Sequence, residues 1–291
     1  MDPIKKQKVK FFDIKLLVIN AIDTKVRKQF GGDFTFEDEL LFIAGLSAGE
    51  HDATIMAWRE KVRHDVVRPT TVIKRWGSDK LLTFGGDESL NEPIEPVEIA
   101  ARDFHAFARV MPHAEFPSGS SCICTAYGEL TDAWTKFLFN DTVKDMHVGG
   151  EQDGFGCEPG VDPEILVSLG CESDFTVPDM KTLIHECSQS RLWGGFHFRA
   201  AVTEGEKMCA GVGDRAFELI KQVKNGSTFG STFRLGDPRP VCQDPNYSST
   251  NGDGDYSSTN GGSPSAATKT VDFWAMMFSA AATSLFFYFA L

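Results

Sequence analysis

The sequence predicts an all-α protein, and three observations carry that reading. Apolar residues recur at three- and four-residue spacing along much of the chain from Thr35 to Lys224. No stretch alternates apolar and polar residues as a half-buried strand does. Segments rich in glycine, aspartate and proline separate the helical runs. The chain has 291 residues, 42% of them apolar, which suffices to bury a core. Its net charge of −12 argues against nucleic acid as a partner, because neutralising phosphates needs a basic face.

Residues 1–34 read as a lead-in that a longer native chain could precede. The polar start, with its basic run from Lys5 to Lys10, gives way to an apolar run, Leu16 to Ile22. That run is too short and interrupted for a secretory signal. A helical domain is expected over 35–224. Leu40, Leu41, Ile43, Ala44 and Leu46 suit a packed helix, with Asp38 and Glu39 near its start. A second helix is expected from Ala48 to Val67, stopped by Pro69, which cannot continue the hydrogen-bonded ladder. Residues 70–95 read as a connection, Glu98 to Val110 as a helix, and Ile123 to Phe139 as another. Val143 to Pro178 reads as a surface excursion. Met180 to Cys187 then leads into Ser188–Ala201, and Thr203 to Lys224 is helical again.

Beyond Asn225 the composition turns to Gly, Ser, Thr, Asn and Asp, and Tyr247-Ser-Ser-Thr-Asn-Gly recurs at Tyr256. A disordered stalk is expected over 225–270. The last segment, 271–291, is a hydrophobic helix: Phe273 to Leu291 carries no charge, and at ~1.5 Å per residue it spans ~28 Å. Small residues Asn260, Gly261 and Gly262, a polar spacer and this tail fit a glycolipid-attachment signal, with a tail anchor as the alternative. The expected location is a membrane, at its extracellular face, or an intracellular membrane if the segment is a tail anchor.

Seven cysteines are present, and none has metal-knuckle spacing, since Cys122-x-Cys124 is too tight for a zinc ribbon. Cys157 with Cys171 would close a plausible loop, but connectivity cannot be read from spacing. Sequons at Asn140, Asn225 and Asn246 permit glycosylation.

Three stretches carry the chemistry. Lys61 and Arg68 lie seven residues apart, two helical turns, so both are expected on one side of a helix. Pro117-Ser118-Gly119 before an apolar helix places a hydroxyl and open backbone N–H groups at its N-terminus, an anion site in form and otherwise an ordinary Ser cap. Ser190-Arg191 and His197 flank a Gly194-Gly195 turn that could wrap an oxyanion. Each alone is weak. Together they offer three cations, a hydroxyl, an N–H and an imidazole to one oxyanion.

The set Lys-x6-Arg-Pro, Pro-Ser-Gly and Ser-Arg-x5-His resembles the superfamily of vanadium-dependent haloperoxidases and type 2 phosphatidic acid phosphatases, over about Thr35 to Lys221. Glu158-Pro-Gly-Val-Asp-Pro163 and Trp193-Gly-Gly-Phe-His197 look more like the haloperoxidase branch. The resemblance implies a helical bundle of the vanadium haloperoxidase and acid phosphatase type that holds vanadate. His197 would be the metal ligand. Lys61, Arg68 and Arg191 would neutralise the equatorial oxygens, and Ser118 with the Gly119 N–H would donate hydrogen bonds. The partners implied are hydrogen peroxide, a halide and a small organic acceptor, with Lys61 polarising the peroxide and hypohalous acid as product. Full-length haloperoxidases carry more helices than this chain, so a second subunit of a homo-oligomer is a further expected partner.

Two positions depart from the motif. Ser120 stands at the acid–base histidine, and Ala201 stands at the aspartate that holds the ligand histidine. His113 is the expected substitute acid–base, and Glu204 the expected partner of the His197 ring. An acid phosphatase using the same pocket, with His197 as phosphate acceptor, is the alternative function. A catalytically impaired, membrane-tethered homologue is the other.

Overall fold

The computed structural model describes residues 3–13, 15–84, 96–107, 110–149 and 174–226. The expected stalk beyond Gly226, the hydrophobic C-terminal segment, the 158–163 stretch, Asn246 and the Cys157–Cys171 pair lie outside the described residues.

The chain opens with α1 (Pro3–Asp13) and α2 (Lys15–Phe30). Their residues Phe11, Phe12, Val18, Ile22 and Val26 are buried in the main core, so the first 34 residues pack as part of it. The long α3 (Phe36–His64) follows. Thr35 caps it: the hydroxyl accepts from the Asp38 N–H at 3.2 Å, and the Asp38 side chain answers the Thr35 N–H, worth about 1 kcal/mol as helix caps go. The two helices expected over 35–67 are therefore one, ending at His64, three residues short of the expected Val67. Asp65 takes the left-handed conformation (φ 42°) and turns the chain out. A short α4 (Pro69–Lys74) starts afresh with Pro69 in its first turn, where a missing N–H costs nothing.

Next, β1 (Lys80–Phe84) pairs antiparallel with β2 (Pro96–Ala100), from Lys80 opposite Ala100 to Phe84 opposite Pro96. The helix expected over Glu98–Val110 is thus a strand leading into a 3-10 turn at Ala101–Asp103. Ile99, Ala100, Phe104 and Phe107 fit helical spacing on paper, but the β1 strand supplies the hydrogen bonds that residues 96–100 use instead.

The central element is α5 (Gly119–Phe139). A second hairpin, β3 (Met146–Gly149) with β4 (Asp174–Val177), lies within the expected surface excursion. Then come α6 (Met180–Trp193), capped by Asp179, α7 (Arg199–Cys209) and α8 (Val212–Lys224). α5 packs against α3, α6, α7 and α8 together. That position explains why Ile123, Tyr127, Leu130 and Trp134 are among its fully buried side chains. Small residues let the neighbours close in. A Cβ on Gly213 would stand 2.4 Å from the Ala126 carbonyl oxygen, so α8 crosses α5 only because that position is glycine. The fold is mostly helical with few short strands, as the periodicity predicts.

Two disulfides leave α5 in different directions. Cys122 joins Cys209 at the end of α7, and Cys124 joins Cys187 in α6. Residues two apart on a helix face away from each other, so one short segment is tied to both neighbours. The bridges span 87 and 63 residues of sequence. Loops of that length restrict the unfolded chain enough that losing either bridge should cost about 2–5 kcal/mol. Thermal unfolding of a Cys122→Ala/Cys209→Ala variant against the unreduced protein checks this; an unchanged midpoint would contradict it.

Candidate oxyanion site

The site residues arrive from five places along the chain. Lys61 comes from the last turn of α3, and Arg68 is the residue before α4. Ser118 and Gly119 open α5; Arg191 lies in the last turn of α6, and His197 lies in the link to α7. Lys61, Arg68, Ser118, Gly119, Arg191 and His197 are all buried.

Lys61 and Arg68 do converge, but not by helical periodicity as expected. The helix stops at His64, and an extended link carries Arg68 back toward the pocket. The Glu115 N–H holds that link by donating to the Val66 carbonyl at 2.8 Å. Lys61 Nζ donates to three backbone carbonyls, Ala114 at 2.8 Å, Glu115 at 3.1 Å and Pro117 at 2.6 Å. It therefore ties the 114–117 loop to α3. Burial and the Arg68 guanidinium push its ammonium down to about 7, with Glu115 opposing.

Arg68 is the hub. Its Nε donates to the His113 carbonyl at 3.2 Å, and its Nη1 donates to the Phe196 carbonyl at 2.9 Å and to His197 Nε2 at 3.0 Å. Its Nη2 stands 3.0 Å from His113 Nδ1. A guanidinium has no lone pair, so both histidine nitrogens facing it must accept. The neutral His113 ring therefore carries its proton on Nε2, while the Ala114 carbonyl 3.2 Å from Nδ1 would accept the second proton of a charged ring. Burial, against a raising contribution at the Ala114 carbonyl and with the charges of Lys61 and Arg68, lowers His113 to about 4. Its ring lies against Trp58, with centroids 4.8 Å apart.

His197 donates from Nδ1 to the Glu115 carboxylate at 2.9 Å. The same Oε1 accepts the Phe198 N–H at 2.9 Å. With Nδ1–H so engaged, Nε2 keeps its lone pair. Burial pushes His197 well below its ordinary value, and Arg68, Lys61, Arg191 and His113 push the same way, which shows that these groups crowd one ring. Glu115, 1% exposed, is raised by burial against the pull of the Phe198 N–H, Arg68 and Lys61.

Arg191 is bound on every side: Nη1 to Asp13 Oδ1 at 2.8 Å, Nη2 to the Val9 carbonyl at 3.1 Å, Nε to the Ser190 hydroxyl at 3.0 Å. The Ser118 hydroxyl caps α5 by accepting from the Ser121 N–H at 3.3 Å and the Ser121 hydroxyl at 2.9 Å. Its own N–H donates to the Ala201 carbonyl at 2.9 Å, which locks the start of α5 to α7. A Cβ on Gly119 would meet the Trp58 ring at 3.3 Å and Lys61 Cε at 3.9 Å, so the first N–H groups of α5 open beside Lys61. Ser120 is half-buried in that same first turn.

The expected Glu204 partner is a correction. Glu204 faces outward and pairs with Lys207 at 2.9 Å, because two turns along α7 from the link carry it away from the ring. Three groups that matter here escaped the sequence reading: Glu115, Trp58 and Asp13. Trp58 lies three residues before Lys61, one turn away, and that spacing was its only signal. Glu115 lies three residues before Ser118 and could have been singled out as an acid beside a cation-rich motif.

These elements define a helical bundle with a buried cluster of basic side chains and a histidine. A family model of the VCPO second helical-bundle domain matches residues 41–226, and the chain belongs to that vanadium haloperoxidase family. The fold is similar to a holo-type bacterial vanadium-dependent chloroperoxidase, at a TM-score of 0.56 and 24% identity over 76% of this chain and 45% of that one. It is likewise similar to an apo-type bacterial vanadium-dependent chloroperoxidase, at 0.59 and 23% identity over 78% and 47%. The chain thus spans less than half the length of these structures. No significant match is found among curated proteins.

Between pH ~6 and ~9 Lys61 titrates, at about 7, while His113, at about 4, is already neutral. A bound anion raises the Lys61 value, so binding takes up a proton above about 7 and affinity must fall as pH rises through it. Sulfate, whose charge is constant across this range, should bind more tightly on the acid side by calorimetry. Lys61→Met should flatten the profile.

Proposed function

We propose that this chain is a vanadate-dependent, haloperoxidase-like oxidoreductase, which oxidises halide with hydrogen peroxide to hypohalous acid for halogenation of small organic acceptors. The observation that carries this reading is a charge imbalance. Three buried basic side chains gather near one imidazole, while among the described residues the carboxylates set against them are those of Glu115 and the half-exposed Asp13. Burying uncompensated charge is costly, and a multiply charged oxyanion would relieve it. The donor set has the sign that an oxyanion needs. Among the described residues no three His, Cys, Asp or Glu stand together as a site for a bare cation would require.

Vanadate would be held by Lys61, Arg68 and Arg191, by the Ser118 hydroxyl and the Gly119 N–H, and by His197 as metal ligand through Nε2. When bound, it supplies a Lewis-acid centre that activates peroxide without changing oxidation state. The chain's own residues do the rest. Lys61 places positive charge where the peroxide oxygen develops negative charge, a preorganised electrostatic role. Trp58 walls the side next to Gly119 and Lys61 and limits water there. His113 accepts from Arg68 at Nδ1 and so keeps its proton on Nε2, and it is the imidazole available in place of the one absent at position 120. Its lowered value reflects in part the cations beside it, so a bound oxyanion would bring it back up.

Phosphate-ester hydrolysis must protonate a basic alkoxide, so Ser120 in place of histidine harms that chemistry more than it harms release of weakly basic groups in peroxide chemistry. The disulfides favour an oxidising compartment, and so the extracellular face proposed for the C-terminal anchor. Among the described residues no helix is long and apolar enough to cross a membrane, and the anchor proposed is the 271–291 segment.

Incubating the protein with orthovanadate, hydrogen peroxide and bromide should brominate a phenolic dye. Ser120→His should raise that rate by up to about 10²–10⁴-fold, the usual range for a positioned acid–base. Phosphomonoester hydrolysis without vanadate-dependent bromination would make the protein a phosphatase. Vanadate binding with neither activity would make it an impaired homologue. His197→Ala should abolish vanadate binding, and unchanged affinity would remove His197 from the site.

A further inference from the structure

We propose that Glu115 is the positioning residue for His197, taking over from the 114–117 loop the role that an aspartate at position 201 would play from α7. The inference rests on the reading of the pocket as an oxyanion site and adds to it a specific ring tautomer.

Position 201 cannot perform this role. Ala201 is fully buried, has no polar side-chain atom, and uses its carbonyl to accept the Ser118 N–H. Glu115 reaches the same ring from another direction. Its Oε1 lies 2.9 Å from His197 Nδ1 and 2.9 Å from the Phe198 N–H, so the ring and the backbone beside it converge on one oxygen. The Phe198 N–H donates to that oxygen, and as a carboxylate Glu115 can only accept from the ring as well. Nδ1 must then be the protonated nitrogen. Nε2, on the opposite edge, is left with the lone pair that faces Arg68 Nη1 at 3.0 Å. A ligand nitrogen needs that lone pair turned to the pocket, and a carboxylate on the far nitrogen both holds the tautomer and raises its basicity.

Glu115 is itself immobilised. Its N–H is held by the Val66 carbonyl, and its own carbonyl accepts from Lys61 Nζ at 3.1 Å. One residue thus links the α3–α4 connection, the buried lysine and the candidate ligand. A carboxylate that merely balanced the cations would need no such double contact on a single oxygen.

The test reads the tautomer directly, without any oxyanion. Nitrogen-15 NMR of the full chain should show His197 with its proton on Nδ1; an Nε2–H ring in the unsubstituted protein would overturn the proposal outright. Glu115→Gln keeps an oxygen for the two donors and should keep the Nδ1–H form, with weaker vanadate binding. Glu115→Met, of similar size but with no acceptor, should lose that tautomer preference and about 10–100-fold in vanadate affinity. A Met variant with tautomer and affinity both intact would also overturn it. Should the Met variant not fold, Glu115→Ala takes its place, and an unchanged tautomer and unchanged vanadate affinity in that variant would overturn the assignment. If the unsubstituted protein shows Nδ1–H yet binds no vanadate, the functional reading falls while the Glu115 assignment stands.

Discussion

Burying three cations within reach of one imidazole is the constraint on which the rest of the structure depends. Lys61, Arg68 and Arg191 are each at most 8% exposed, and charge so far from water must be met by oriented groups. The protein meets it largely with backbone. Three carbonyls surround Lys61, two accept from Arg68 and one accepts from Arg191. Those carbonyls belong to the 113–117 loop, to Phe196 and to α1, so the cations determine the path of the chain around them. The loop before α5 runs as it does because Lys61 and Arg68 hold it from both sides. Burial of like charges also means that the folded state binds the Lys61 proton less tightly than the unfolded chain, with a value of about 7 against 10.5. The resulting loss of stability is complete below about 7 and shrinks as pH rises toward the unfolded value.

Such a pocket needs a scaffold that does not yield, and α5 supplies it. Its first turn presents Ser118 and Gly119, while its body contacts every helix that delivers another site residue. Cys122 and Cys124 fix the start of α5 to α7 and α6 within about two helical turns of Ser118. The Ser118–Ala201 backbone bond adds a third tie. Close helix contacts at Gly45, Gly205 and Gly213 leave little room for sliding. Preorganisation of this kind is what an electrostatic site requires, since donors that must move to meet a charge lose part of their effect.

Much of this was legible in the sequence. The all-helical class followed from apolar periodicity, and α5 was readable because Ser118 sits where a cap belongs and an apolar run follows. The cations and the imidazole were legible as a set because their spacing within each stretch matched a known pattern. What escaped has physical reasons. The β1–β2 hairpin was hidden because Ile99, Phe104 and Phe107 satisfy helical spacing as well, and only pairing with a distant strand decides between them. Lys61 and Arg68 meet through a left-handed turn at Asp65 and an extended link, which periodicity cannot foresee. Glu115 was overlooked because the aspartate it replaces is sought along the chain after His197, whereas the contact spans 82 residues. Glu204 was favoured for the opposite reason, being near in sequence yet on the outer face of α7.

Any oxyanion entering this pocket must compete with the contacts the cations already have. Lys61 has three donors and three carbonyls, so it can turn to a ligand only by releasing one of them. Arg191 would have to share its guanidinium with Asp13, and Arg68 would have to surrender the Nε2 lone pair of His197 for an electrophilic centre to take it. Binding is therefore an exchange of neutral carbonyl dipoles and one partly exposed carboxylate for a concentrated negative charge. A buried ammonium or guanidinium is attracted more by a full negative charge than by a carbonyl dipole at the same distance, so the exchange favours the anion most where a carbonyl is given up. It favours the anion least at Arg191, where one carboxylate is traded for another negative oxygen. The affinity of the pocket is thus set less by how many cations it has than by which of their present partners each must release.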